Sequence, residues 1–261
     1  MKLKSIILLS LILIIAGNVL AQKTDPPKAP AKPADVKSPP PAAKLPTVAE
    51  ILAKYVQAIG GREANEKIKT RISKGTIEIS PMGIKGTVEE YKAAPDKTYS
   101  AGNLTGVGVL IESYDGKTSW SSNPMQGSRD KTGQELLQSR LASNFYREIN
   151  LEKLYPKMEL KGIEKVGDID AYVVIATPDG IPSETFYFDT VSGLLVRSDS
   201  TAIAPEGNAA IKTFYEDYRE IDGVKIPFKL RAVLPQAELI TTFTEIRNNV
   251  PISDTKFQKP M

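Results

Sequence analysis

The chain has 261 residues, a net charge of +3, 41% apolar and 25% charged residues, and neither Cys nor His. Without Cys and His there can be no disulfide, no Ser-His-Asp or Cys-His catalysis and none of the usual zinc sites, so acid–base work would fall to Asp, Glu, Lys or Tyr. The near balance of charge argues against a general nucleic-acid binder, and a disulfide-free domain of this size relies on a large apolar core.

The first residues read as an address. Met1-Lys2-Leu3-Lys4 is basic, Ile6 to Ala16 is a short apolar run, and Val19-Leu20-Ala21 ahead of Gln22 has the small-residue pattern of a signal-peptidase site. The run is short for a membrane span. The expectation is a periplasmic or secreted chain cut after Ala21, with an uncleaved N-terminal anchor as the alternative. No Cys follows the small residues, so lipidation is not expected. Losing Lys2 and Lys4 with residues 1–21 takes the net charge from +3 to +1. Residues 22–46 alternate Pro, Ala and Lys and cannot bury enough surface to fold. They form a linker that would span on the order of 70 Å if extended. It reads as a solvated tether or as a spacer through cell-wall polymer.

Folded sequence begins with TVAEILAKYVQAIGG, Thr47 to Gly61. Val48, Ile51, Leu52, Tyr55, Val56 and Ile59 recur at steps of three and four, which draws one wide apolar stripe along a helix. Thr47 and Glu50 have capping-box spacing, and Gly60-Gly61 supplies a left-handed stop. Such a stripe must lie on the sheet that follows. It is either an ordinary core helix or a removable plug over a cavity for an apolar ligand.

Alternating segments follow, separated by turn residues: Arg71–Ile79, Ile84–Lys92, Lys97–Gly102, Val107–Tyr114 and Lys117–Ser121. Glu63 to Lys69 is expected to add a helical turn. Thr132 and Glu135 repeat the capping-box spacing ahead of a second helix carrying Leu136, Leu137, Leu141 and Phe145, and a further turn is expected between Glu148 and Leu154. Strands resume at Lys157–Val166, Ala171–Thr177, Ser183–Asp189, Leu194–Thr201, Ala210–Glu220, Val224–Leu234 and Glu238–Arg247. Asp222-Gly223 predicts a type I′ hairpin turn, and Val191-Ser192-Gly193 closes another. Pro227 lacks an amide hydrogen, which predicts an edge position or a bulge for its strand. About a dozen strands and two main helices predict one domain over residues 47–261, a large antiparallel sheet curled around a helical plug.

Several constellations suggest chemistry and are declined. Glu216, Asp217 and Glu220, with Glu89 and Glu90, are near neighbours on strands that face water. Lys161, Lys165 and Lys225 read as solvated faces rather than an anion site. Trp120 reads as a core or rim aromatic. GNLTGVG at Gly102–Gly108 lacks the lysine and the following helix of a phosphate loop, and its Asn103-Leu104-Thr105 sequon carries little weight in a bacterial-looking export product.

The helix at Thr47–Gly61, YKAAPDKTY at Tyr91–Tyr99, FYFDTVSGLLVR at Phe186–Arg197 and FYEDYREIDGVKIPFKL at Phe214–Leu230 resemble bacterial outer membrane lipoprotein-sorting proteins of the LolA/LolB-like carrier superfamily. The resemblance covers roughly Thr47 to Arg247. It implies a mainly β (α+β) fold: a single strongly curved antiparallel sheet, or half-open β-barrel, of about 11 strands with a helical plug or lid. It also implies a non-enzymatic carrier of lipoprotein acyl chains or another lipid, with no cofactor or metal. Its partners would be an inner-membrane donor and an outer-membrane acceptor, and it would be a monomer that binds no nucleic acid. The expected apolar lining is Val107, Val109, Ile111, Ile226, Phe228 and Leu230, with Ile51, Leu52, Tyr55, Ile59, Leu137 and Leu141 on the lid. Carriers of this kind hold the lid with an arginine near the cavity mouth; no motif places it here, and Arg71 and Arg197 are both left unassigned. The alternative is an envelope-associated structural or protein-binding module with the same fold.

Overall fold

The computed structural model describes residues 45–260. The expected leader and nearly all of the expected linker lie outside the described residues.

Thirteen antiparallel strands form a single open sheet. The first meander is β1 (Thr70–Ser80), β2 (Ile84–Ala93), β3 (Lys97–Leu104), β4 (Gly108–Tyr114), β5 (Ser119–Asn123) and β6 (Gly127–Lys131). The second is β7 (Lys157–Val166), β8 (Ile169–Thr177), β9 (Glu184–Asp189), β10 (Leu195–Ala202), β11 (Ala209–Ile221), β12 (Val224–Val233) and β13 (Glu238–Asn248). The two meanders join where β1 pairs with β13, so β6 and β7 are the outer edges. The chain crosses from one edge to the other through α3 (Gly133–Ser143), a 3-10 turn (Arg147–Ile149) and α4 (Leu151–Leu154).

Thirteen strands correct the expected count of about 11. The strand absent from the sequence reading is β6, GSRDK, which is largely exposed and shows no apolar alternation. The expected capping box at Thr132 is also absent. The Thr132 side chain makes no cap bond, and the Glu135 carboxylate, the other half of the box, instead receives Arg129 in a two-bond fork at 2.7 and 2.9 Å. A bidentate charged pair outcompetes a single cap bond.

Helix α1 (Val48–Ala58) forms as its sequence predicts. The Thr47 hydroxyl accepts from Glu50 N at 3.2 Å, and Glu50 Oε2 accepts from Thr47 N at 2.7 Å. Gly60 at φ 107° ends it, and α2 (Gly61–Lys67) follows directly. The corner between them docks on the β11–β12 hairpin, where Lys225 N donates to Ile59 O at 3.1 Å. Asp222 and Gly223 both have positive φ there, as a type I′ turn requires.

That hairpin explains Pro227. β12 lies inside the sheet, not at an edge. Yet its ladder with β13 runs only from Lys229↔Thr242 to Val233↔Glu238, while β13 continues alongside β1 to Asn248. The first half of β12 therefore has a strand neighbour on one side only, and Pro227 sits in that half.

Four apolar clusters hold the described residues, the smallest being Ala171, Val173 and Tyr187 on β8 and β9. The largest joins Ile51, Leu52, Tyr55 and Ile59 of the first helical segment to Val174 and Ala176 of β8, Phe186 and Phe188 of β9, and Leu195 of β10, with Ile149, Leu151 and Tyr155 from the crossover. A second lies beside α2 on β2, β12 and β13 around Phe228 and Phe243. A third holds Ile77, Ile79, Leu104, Leu110 and Leu239.

A cavity beneath the first helix

Ile51, Leu52, Tyr55 and Ile59 are each only 3–4% exposed. The Tyr55 ring packs on Phe188 with centroids 5.1 Å apart, and Phe186 meets Phe188 at 6.1 Å and Tyr155 at 5.5 Å. Beside this packing, between the C-terminal half of α1, the segment Phe145–Ile149 and strands β9 to β12, is a cavity of about 100 Å³. Tyr55, Ile59, Ile149, Leu151, Phe186, Leu195 and Ile226 supply its apolar wall, and Arg71, Arg147, Glu148, Tyr215, Tyr218 and Lys225 its polar one. Small-molecule sites run to roughly 300–1,000 Å³, so an acyl chain enters only if the roof moves.

The roof is tied down by polar contacts. Arg62 of α2 donates to Ile149 O at 2.5 Å and Asn150 Oδ1 at 3.1 Å, Tyr146 OH to Ile68 O at 3.1 Å, and Phe145 N to Pro95 O at 2.9 Å. Deeper in, Arg147 Nη2 donates to Glu184 Oε2 at 2.6 Å and to Tyr155 OH at 2.5 Å, and Tyr155 OH donates to Glu184 Oε1 at 2.9 Å. The guanidinium also lies 5.6 Å from the Phe186 ring centre and 5.8 Å from that of Tyr155.

Burial works against the charge on Arg147, but Glu184, Tyr155, Tyr215 and Glu148 together more than restore it, and its pKa stands well above the ordinary value. Burial pulls Arg71 below the usual arginine range, against the pull of Glu148 and Glu90. Burial likewise pushes the Tyr55, Tyr215 and Tyr218 phenols up, so all three stay neutral donors at pH 7. Tyr215 and Tyr218 are three residues apart, and regular strand alternation would send them to opposite faces. Between them Asp217 takes φ 54°; the alternation breaks and both rings line the cavity.

The expected site residues separate into several places. Ile51, Leu52, Tyr55 and Ile59 come together, with Leu141 packed at their margin. Of these Tyr55 and Ile59 line the cavity, as does Ile226. Phe228 and Leu230 belong to the α2-side cluster, and Val107 packs on the third one. Ile111 is half-buried, Val109 is 44% exposed and Leu137 is 40% exposed. Leu137 lines a second recess of about 330 Å³ against α3, with Asp96, Tyr114, Gly116, Lys117, Leu136 and Arg140. That recess is larger but more open and charged, and it does not touch the α1 stripe.

The polar half of the cavity was not legible in the sequence reading. Only the Tyr-rich FYEDY run hinted at it. Of the two unassigned arginines, Arg71 lines the cavity. Arg197 does not: it pairs with Asp199 and lies 4.4 Å from the Tyr187 ring. The declined carboxylates are mostly paired, Glu216 with Lys229 and Arg231, Asp217 with Arg219 and Glu89 with Lys256. Residues Gly102–Gly108 form the β3–β4 hairpin. Among the described residues no group of three or more acidic, His or Cys side chains is placed to hold a metal, and no helix is long and apolar enough to cross a membrane.

Solved structures share this architecture. A DUF1329 family protein from Desulfovibrio piger matches with a TM-score of 0.53 at 18% identity, covering 81% of this chain and 97% of that one. A LolA superfamily protein from Nitrosomonas europaea matches at 0.53 and 14%, covering 82% and 99%. The fold is thus similar to that of a LolA superfamily protein. A Vibrio parahaemolyticus structure, described as an outer membrane lipoprotein-sorting protein domain, matches at 0.50 and 10%, covering 75% and 93%. No family model matches the sequence, and no curated protein matches it. At these identities the likeness is one of fold, and function rests on the cavity.

Proposed function

We propose that the protein is a non-enzymatic carrier in the cell envelope. It would hold an acyl chain, of a lipoprotein or of a lipid, between the sheet and α1. The observation that carries this reading is the cavity's position directly under α1, walled on one side by the helix stripe and on the other by Phe186, Leu195 and Ile226. The magnitudes suit reversible exchange. Four buried side chains of the stripe contribute about 1.5–3 kcal/mol each, roughly 6–12 kcal/mol together. An acyl chain of about twelve methylenes gains roughly 10 kcal/mol at about 0.8 kcal/mol per CH₂. The chain can thus take the place of the helix without either state dominating, and direction comes from the relative affinities of an inner-membrane donor and an outer-membrane acceptor.

The second reading, a structural or protein-binding module in which α1 is fixed core, is favoured by the tight packing of Ile51 and Leu52. Leu52→Ala separates the two. A lid weakened by truncation leaves more molecules competent to bind, so a fluorescent fatty-acyl probe binds the variant more tightly than wild type. A loss of roughly 2–5 kcal/mol in denaturant unfolding, with no probe binding by either protein, would leave the module as the correct account.

A further inference from the structure

We infer that this cavity takes an amphiphile whose headgroup is anionic, a carboxylate or a phosphate, held by Arg147, Arg71 and Lys225 with the tail directed along α1. The inference rests on the carrier reading above and narrows its ligand class.

The cavity lining is mixed in chemistry. Ile59, Phe186 and Leu195 are apolar, and Arg71, Arg147 and Lys225 line the same cavity, with Arg147 already paired to Glu184. None of the three cations is fully used within the protein. Among the described residues both hydrogen bonds of Arg147 leave from Nη2, and its buried Nε has no partner. Arg71 is half-buried, and among the described residues its side chain bonds only to the neutral Asn248, Nε to Oδ1 at 3.0 Å. Lys225 is exposed where it meets the cavity, and among the described residues neither it nor Arg71 forms an ion pair.

Buried donors without acceptors are costly and uncommon in folded proteins. A guanidinium presents a planar fork that fits a carboxylate or phosphate, and in a water-poor pocket such bonds are strengthened. A neutral ester or glyceryl headgroup would leave Arg71 and Lys225 without an ion partner. An anionic headgroup supplies one while its chain takes the apolar lining.

The test is calorimetric titration of the full chain with four ligands: palmitate, palmitoyl lysophosphatidate, methyl palmitate and inorganic phosphate. Either charged lipid is expected to bind at least ten-fold more tightly than methyl palmitate, and the stronger of the two identifies carboxylate or phosphate. In Arg71→Gln/Lys225→Gln that preference should collapse to about two-fold while methyl palmitate binding is retained. Arg147→Lys, which keeps a charge opposite Glu184, should also lower the preference. Equal binding of charged and neutral lipids, or a preference that survives in the double variant, would overturn the headgroup assignment and leave the carrier reading intact. Inorganic phosphate binding as tightly as the lysophosphatidate would overturn the lipid source. Failure of every acyl ligand to bind would overturn the carrier reading itself.

Discussion

Glu184 on β9 and Arg147 in the crossover meet at 2.6 Å with only 15% and 18% of their side chains accessible, and the Tyr155 hydroxyl bridges them. The pair binds the crossover to the strand that floors the cavity. Removing one member of a buried pair strands the other's charge. Glu184→Gln should therefore cost roughly 3–5 kcal/mol in denaturant unfolding. The exposed pair Glu63–Lys67 is the control: Glu63→Gln should leave the unfolding midpoint unchanged.

Gly60 marks where α1 meets the sheet. A Cβ there would lie 2.1 Å from Gly223 O, at φ 107°. Gly60→Ala should destabilise by about 2 kcal/mol or more, from backbone strain together with the collision. Gly83 is the comparison. It too has positive φ but open space around it, so Gly83→Ala should cost less in the same urea titration.

The C-terminal segment gives an optical test. Phe257, at the end of a short 3-10 turn (Asp254–Phe257), is fully buried, and its carbonyl accepts from Trp120 Nε1 at 3.1 Å and Ser113 Oγ at 2.9 Å. Lys256 reinforces it, 3.9 Å from the Tyr99 ring centre and paired with Glu89. Trp120 is the chain's single tryptophan. Truncation after Val250 should shift its emission to the red as water reaches the indole, and Phe257→Ala should cost roughly 3–5 kcal/mol. Unchanged emission after truncation would show that the segment does not cover Trp120 in solution.

Asp115 carries an acid-side prediction. Burial raises its pKa, but bonds from Thr118 N at 2.6 Å, Lys117 N at 2.8 Å and the Thr118 hydroxyl at 2.9 Å outweigh burial and leave it below the ordinary value. A depressed carboxyl stabilises the fold above its unfolded pKa, and the contribution fades as pH falls through the folded value. Asp115→Asn should lower the urea midpoint at pH 7, and the difference from wild type should shrink as the buffer is taken from pH 5 towards pH 2.

The apolar skeleton was readable because burial writes a period into sequence. The stripe from Val48 to Ile59 and the alternation from Val224 to Leu234 each predict their element and its buried face. β6 was not readable because an edge strand such as GSRDK buries almost nothing, so only its ladder with β5 identifies it. The cavity's polar wall failed for a different reason. Arg71, Arg147, Tyr218 and Lys225 come from separated segments, and what assembles them is the docking of a helix corner against a half-paired strand. Neither that contact nor the φ of Asp217 has a residue-type signature.

The pairing of β1 with β13 means that the sheet's middle seam joins the first strand made to the last. While a ribosome or an export channel feeds the chain out, β1 to β6 can zip in order, but the free side of β1 waits for well over a hundred residues. Open strand edges of that kind recruit other chains. β1 carries its own deterrents: exposed Lys74 and Glu78 flank a register break at Lys74/Gly75. Gly75 then lets β13 close in, since a Cβ there would lie 2.1 Å from Thr242 O. The same irregularity that guards the nascent half-sheet against strangers is shaped for the one strand that completes it.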